Sequence, residues 1–198
     1  MANEGQARAL NDKEHNKFVR FLRRNGRNVI KNVALAEVSF RTGCRVGSLA
    51  MLELDDVLES DKTTLKEVIV LKRSIVKNEK TTRLFLTHPK ARKALSDYIS
   101  IRPKLKRVNT LFMTQKGTSY SPHSLSAAFC ALYKRAGMVG YSHHSNRRGF
   151  ASSVMRQPRS NIVMLKTLLN HSNINTTALY VENDDETLAS IVKNVGVR

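Results

Sequence analysis

Cysteine, proline and glycine are few in the sequence, and tryptophan is absent. Its 198 residues include two cysteines, four prolines, nine glycines and no tryptophan. Cys44 and Cys130 are too few for a disulfide framework. Because long apolar runs are also absent, we expect neither a signal peptide nor a membrane span. With 41% hydrophobic residues, the composition is typical of a folded domain in a reducing compartment.

Acidic residues are scarce, and their absence is uneven. The chain has 34 Lys and Arg against 16 Asp and Glu, a net charge of +18, and no acidic residue between positions 98 and 181. A membrane-binding protein would concentrate basic residues in one amphipathic helix or polybasic run, and neither occurs. Charge spread over a folded surface suits a nucleic-acid backbone. The alternative, a basic solvated face without a partner, would leave strong self-repulsion.

Hydrophobic periodicity predicts a mainly α-helical domain with a small antiparallel β-sheet. Helical spacing and capping residues predict helices at about 12–24, 28–41, 45–52, 90–101, 121–136, 143–156, 160–169, 174–180 and 184–194. Residues 65–76 and 83–86, separated by a polar stretch, predict a β-hairpin. We expect a flexible N-terminus over 1–10, one domain over 11–182, and a C-terminal helix and tail over 183–198.

The residues that bind metal ions are poorly placed. Hard divalent cations take clustered carboxylates, and the acid-free stretch offers none. Adjacent histidines such as His143 and His144 diverge by about 100° on a helix, and no HExxH motif accompanies them. We therefore expect no metal and no cofactor. Any phosphoryl chemistry must take its positive charge from Arg, Lys and His.

Residues 144–151 place an arginine on the buried side of a helix. Arg147 lies about 10° from the centre of an apolar stripe, whereas Arg148 lies nearly 90° away. An inward guanidinium is costly unless an anion or a hydrogen-bond network meets it, and a phosphate diester matches its planar fork. His144 shares that face. The alternative is a structural arginine paired with a backbone carbonyl.

Four segments resemble, in order, the motifs of the tyrosine recombinase (phage integrase) family. Residues 42–49 (TGCRVGSL) resemble its first arginine box, with 52–57 (LELDDV) similar to the segment that follows. Residues 76–86 (VKNEKTTRLFL) resemble the β-hairpin that carries a catalytic lysine. Residues 144–151 (HSNRRGFA) and 169–180 (LNHSNINTTALY) resemble the second and third boxes. One segment would be weak support, whereas four in the right order and spacing are specific. The resemblance makes 11–182 a catalytic domain.

The resemblance implies a covalent mechanism that needs neither a metal nor ATP. Tyr180 would attack a DNA phosphodiester and form a 3′-phosphotyrosyl bond, which conserves the energy of the diester for rejoining. Arg45 and Arg147 would hold the non-bridging oxygens and stabilise the charge that develops in the transition state. The alternative for Tyr180 is an interfacial aromatic.

Three further catalytic residues are implied, each with an alternative. Lys77 would protonate the leaving 5′ oxygen, with Lys80 as its competitor. His144 would act as an acid or base, with His143 as its competitor. His171 would donate a hydrogen bond to the phosphate, or it could instead cap the preceding helix.

The sequence departs from the family pattern at four positions. Ser48 stands where Glu is usual, Asn146 where Leu is usual, Arg148 where His is usual and Asn170 where Gly is usual. None of these changes removes a catalytic group, so we expect activity with altered packing around the boxes. Ser48 and the threonine pairs, at 63–64, 81–82 and 176–177, are interpreted as ordinary polar positions.

The resemblance implies a site-specific DNA recombinase, similar in size to the short fimbrial phase-switch invertases. Arg45 falls too early for the separate DNA-binding domain that most members carry ahead of the catalytic one. We expect double-stranded DNA as a partner, a homo-oligomer (a tetramer) assembled on it through 184–198, accessory DNA-binding proteins, no membrane, and the cytoplasm of a prokaryote. The alternatives are a topoisomerase IB-like nicking and rejoining enzyme, a non-catalytic DNA-binding regulator, and a metal-dependent nuclease.

Overall fold

The computed structural model describes residues 7–25, 27–71, 82–103, 105, 108–171, 173–178 and 192–193. Its elements are, in chain order, α1 (Asp12–Arg24), α2 (Val29–Thr42), α3 (Val46–Met51), α4 (Leu54–Val57), β1 (Val68–Leu71), β2 (Thr82–Phe85), α5 (Pro89–Ile101), α6 (Pro122–Arg135), α7 (His143–Met155), α8 (Ile162–Leu169) and α9 (Ile174–Ala178). The two strands pair antiparallel. The predicted fold class is confirmed.

Most predicted helices begin and end within two residues of the observed ones. The single turn α4 has no counterpart in the prediction, because one turn is too short to show a helical period. The predicted helix at 184–194 lies outside the described residues except for 192–193. Within the described ranges, no helix has the length and apolar character needed to cross a bilayer.

Helix α2 forms the centre of the domain. It packs against α1, α5 and α7, and ten of its 14 residues are buried. A helix surrounded in this way is buried on several faces, and its sequence accordingly shows little amphipathic character. Since α2 ends at Gly43 and α7 carries Arg147, this packing brings the first and second arginine boxes together.

The N-terminal segment packs against α7. Leu10 is fully buried, and its N–H donates to the Ser145 carbonyl at 3.1 Å. The close approach requires Gly149, because a β-carbon there would overlap the Leu10 carbonyl oxygen and lie 2.7 Å from Cε2 of Phe40. Leu10 itself is thus held against α7, and the expectation of a flexible N-terminus over 1–10 stays a prediction. Helical periodicity does not reveal a single extended residue that packs on a distant helix.

We predict that Gly149→Ala destabilises the domain by about 1–3 kcal/mol, because the added methyl group must displace either Leu10 or Phe40. Urea unfolding monitored by circular dichroism measures the change. The control is Gly47→Ala in α3, where a β-carbon would lie 3.9 Å from Cβ of Pro122, an ordinary contact. Equal stability of the two variants would contradict the packing of the N-terminal segment described above.

Candidate active site

Helix α8 ends in a left-handed turn that presents backbone carbonyls. Asn170 has φ 48° and ψ 54°. Its N–H donates to the Thr167 carbonyl at 3.1 Å, and the N–H of His171 donates to the Lys166 carbonyl at 3.0 Å. These bonds close the helix, so the carbonyls of Leu169, its last residue, and of Asn170, its C-cap, lie at its open end. The negative end of the helix dipole adds to their attraction for cations.

Arg45 approaches this turn from the junction of α2 and α3. Gly43 ends α2 with φ 62°, and a β-carbon there would overlap the ring of Phe150, so the junction requires glycine. Arg45 then takes an extended backbone conformation at the start of α3. Its half-buried side chain donates from Nη2 to the carbonyl oxygen of Asn170 at 3.1 Å.

Arg147 lies on the buried side of α7, with 8% of its surface exposed. Its Nη1 donates to the Gly43 carbonyl at 2.5 Å and its Nη2 to the Leu169 carbonyl at 2.6 Å. The inward orientation predicted from the helical pattern is confirmed, and the carbonyl pairing considered as the alternative is present as well. Because Leu169 and Asn170 are adjacent, their carbonyls hold both guanidinium groups at the end of α8.

His171 is buried beside Arg147 and is neutral. Its Nε2 lies 3.0 Å from Nη2 of Arg147, and its Nδ1 lies 2.9 Å from Oγ1 of Thr177. A guanidinium can only donate, so Nε2 accepts and the ring proton is on Nδ1, which donates to Thr177. Burial, followed by the positive charges of Arg147 and Arg45, lowers the pKa of His171 to about 4. Capping of α8 by this side chain and donation to a phosphate both stay predictions.

The rings of the two adjacent histidines at the start of α7 lie in contact, with centroids 3.9 Å apart, rather than diverging as the helical spacing predicted, and each has a further neighbour. His143 Nδ1 lies 3.0 Å from Oγ of Ser126 on α6, and burial lowers its pKa to about 4. His144 is more exposed, and its pKa is lowered by partial burial and then by the charge of Arg147. The structure thus places His144 within the electrostatic reach of Arg147 and turns His143 toward α6.

An open groove of about 520 Å³ lies between β2 and α8 and reaches His171. Arg83 and Lys166 line it, and no carboxylate belongs to the part of its wall that the structure describes. Arg83 also borders a smaller pocket that contains Arg45 and Arg147. The arginine pair therefore adjoins a positively charged surface groove.

Two of the six predicted catalytic residues, Lys77 and Tyr180, lie outside the described residues, as does Lys80. The other four are described. Arg45, Arg147 and His171 meet at the end of α8, and His144 lies on the turn of α7 that precedes Arg147.

Three side chains that hold the site together, those of Thr177, Asn170 and Thr82, were not predicted from the sequence. Thr177, interpreted as an ordinary polar residue, is fully buried and is the partner of His171. Asn170 donates from its side-chain amide to Oγ1 of Thr82, which joins α8 to β2. The departure from glycine at 170 was the available signal, since asparagine tolerates the left-handed conformation and adds a donor.

The phage integrase family matches residues 8–187 of the chain. The chain belongs to this family. Among its relatives, the tyrosine recombinase XerC of Caldanaerobacter subterraneus is 31% identical over 166 residues, 82% of this chain and 44% of the relative. XerC of Haemophilus ducreyi is 25% identical over 164 residues, 82% of this chain and 51% of the relative. This phage integrase family member thus spans about half the length of the curated relatives it matches.

Solved structures share the fold of this phage integrase family member. The crystal structure of XerA recombinase matches with a TM-score of 0.77 and 22% identity, over 96% of this chain and 65% of that one. The Tn1549 transposon integrase in complex with transposon right end DNA matches with a TM-score of 0.77 and 16% identity, over 100% of this chain and 69% of that one.

We predict that His171 titrates near pH 4 and carries its proton on Nδ1 at neutral pH, because burial and two guanidinium charges oppose a second proton. Nitrogen-15 NMR of labelled histidine, assigned with His171→Asn, measures both properties. In Thr177→Val the Nδ1–H loses its acceptor while Nε2 still accepts from Arg147, so the tautomer should be unchanged and the Nδ1–H should exchange faster with water.

The lowered pKa of His171 also determines how the stability of the folded protein depends on pH. Because the folded-state pKa lies below the unfolded value of about 6.5, the unfolded chain binds more protons at acid pH. The contribution of neutral His171 to stability is complete above about pH 6.5 and is lost as the pH falls toward 4. A midpoint near 6.5 in the folded protein would contradict the buried site.

Proposed function

We propose that the chain is the catalytic part of a site-specific DNA recombinase that cleaves and rejoins DNA through a 3′-phosphotyrosyl intermediate. The observation that supports this most strongly is the meeting of Arg45, Arg147 and His171 at the end of α8, from segments far apart in the sequence. Relatives named tyrosine recombinases support the same activity.

The arginine pair would bind the phosphodiester that is cut. Two guanidinium groups held close together supply several N–H donors to the non-bridging oxygens, and their charge balances the extra negative charge of the transition state. Arg83 and Lys166 line the adjoining groove, where they would contact phosphates on either side of the cleaved one.

Each step of the proposed cleavage balances in bonds and protons. The Tyr180 oxygen attacks phosphorus and the bond from phosphorus to the 5′ oxygen breaks, while the Lys77 ammonium gives a proton to the leaving 5′ oxygen. The tyrosine proton passes to His144, which can accept it because its lowered pKa keeps the ring neutral near pH 7. Rejoining is the reverse, with the 5′ hydroxyl attacking the phosphotyrosine.

His171 would orient Arg147, since its Nε2 accepts a hydrogen bond from that guanidinium. Donation from His171 to the phosphate would require the other tautomer, with the proton on Nε2 and Nδ1 accepting from the Thr177 hydroxyl. The 2.9 Å contact to Thr177 allows either direction, because a hydroxyl both donates and accepts.

We infer that the protein works on double-stranded DNA as a homo-oligomer, a tetramer, with accessory DNA-binding proteins, in the cytoplasm of a prokaryotic cell. The solved XerH recombinase is bound to its difH substrate, and the relatives are bacterial. In the helix predicted over 184–194, the spacing of Leu188, Ile191, Val192 and Val195 would form an apolar stripe, and Val192 is 71% exposed. That stripe suits docking on a neighbouring copy.

We predict that the 198-residue chain forms a covalent adduct with nicked duplex DNA of its own locus in EDTA, and that Tyr180→Phe abolishes it by removing the nucleophile. Labelled DNA that stays with the protein on a denaturing gel measures the adduct. Tyr98→Phe is the matched control, because the buried Tyr98 hydroxyl makes one long contact, 3.4 Å, with the Met113 N–H.

Other outcomes of this experiment point to the other functions. An adduct that Tyr180→Phe retains would contradict the assignment of the nucleophile, and binding without any adduct would favour the non-catalytic regulator. Relaxation of supercoils without the joining of two sites would favour the topoisomerase-type enzyme.

In native gels of the same samples, deletion of 184–198 should remove the higher-order complexes.

A further inference from the structure

Asn170 contacts three separate parts of the candidate site. Its backbone ends α8 in the left-handed conformation, and its carbonyl accepts a hydrogen bond from Arg45 at 3.1 Å. Its side-chain Nδ2 donates to Oγ1 of Thr82 on β2. One residue therefore joins the helix that holds both arginines to the β-hairpin.

The contact with Thr82 lies at the last described pair of the two strands. Thr82 is the first residue of β2 and is paired with Leu71, the last residue of β1, so this rung of the ladder closes the segment 72–81. That segment contains Lys77. A sheet of two four-residue strands is only marginally stable on its own, so contacts with the rest of the domain must hold it in place.

Position 170 needs a left-handed backbone and a side-chain donor to Thr82. Asparagine supplies both, whereas glycine, the usual residue of the family motif, supplies only the first. Both residues adopt φ near 50° at low cost. Glycine has no side chain, so it would keep the helix end and the carbonyl for Arg45 but could not donate to Thr82. The substitution therefore adds a connection and removes none.

We propose that Asn170 is a positioning residue that ties the lysine-bearing hairpin to the arginine pair, and so sets the distance of the general acid from the bound phosphate. The inference rests on the proposed function in one respect, the role of Lys77 as the acid. Asn170 itself touches neither the DNA phosphate nor the leaving oxygen in this account.

Asn170→Gly is the variant that tests the connection, because it keeps the left-handed turn and removes only the amide. Thr82→Val removes the acceptor from the other side while keeping the branched shape of the side chain. Asn28→Gly is the matched control. Asn28 also has a left-handed backbone, φ 57°, but it lies at the opposite end of α2 from Gly43.

The first measurement is amide hydrogen exchange of the full chain without DNA. Loss of one anchoring hydrogen bond should speed exchange at Leu71 and Thr82 about five- to tenfold in Asn170→Gly and in Thr82→Val. Asn28→Gly should leave it unchanged. Exchange at these two residues equal to that of the wild type would overturn the proposal.

The second measurement compares the single-turnover cleavage of two DNA substrates. Both are nicked duplexes of the protein's own locus. One has the normal bridging oxygen at the 5′ position of the cleaved bond, and the other has a bridging sulfur there. A thiolate leaves without a proton, because a thiol is far more acidic than an alcohol. We expect Asn170→Gly to cleave the oxygen substrate about 10- to 100-fold more slowly and the sulfur substrate within about threefold of the wild type.

Control variants separate the failure of this inference from the failure of the proposed function. Lys77→Ala should also recover on the sulfur substrate, whereas Arg147→Ala should stay slow on both. If Lys77→Ala does not recover, the acid is wrongly assigned, and the exchange measurement decides alone whether Asn170 holds the hairpin. If Lys77→Ala recovers and Asn170→Gly is equally slow on both substrates, the positioning role is wrong.

Discussion

Two guanidinium groups held close together repel each other, and the site depends on how the chain compensates that repulsion. The carbonyls of Leu169 and Asn170 accept one hydrogen bond from each arginine, at the negative end of the α8 dipole. The same positive charge, together with burial, keeps His171 neutral, so the histidine adds no third charge. The arrangement preserves strong positive potential where a phosphate would bind.

The rest of the fold brings three distant segments to this helix end. Gly43 allows the turn that directs Arg45 to α8 while its carbonyl accepts from Arg147, so one junction serves both arginines. Gly149 lets the N-terminal segment lie against α7, the helix that carries Arg147. Gly43 and Gly149 therefore lie within the two arginine boxes, at positions where a backbone or a ring approaches too closely for a side chain.

The sequence predicted the helices, the hairpin and the inward side of Arg147, because each depends on local periodicity that a buried core enforces. It also placed Arg45, Arg147 and His171 in one site through the resemblance of short motifs. It did not predict the contacts of Asn170 with Thr82 or of His171 with Thr177. The first joins residues 88 positions apart, and the second depends on which ring nitrogen carries the proton, so neither has a periodic signature in the chain.

Arg45 and Arg147 are expected to act together on one phosphate. A double-mutant cycle on the rate of covalent adduct formation tests it most directly, using Arg45→Ala, Arg147→Ala and the double variant under single-turnover conditions. Residues that stabilise the same developing charge lose their effect together, so the double variant should be less than about tenfold slower than the slower single variant. Full addition of the two losses on a logarithmic scale would show independent roles and would contradict the account.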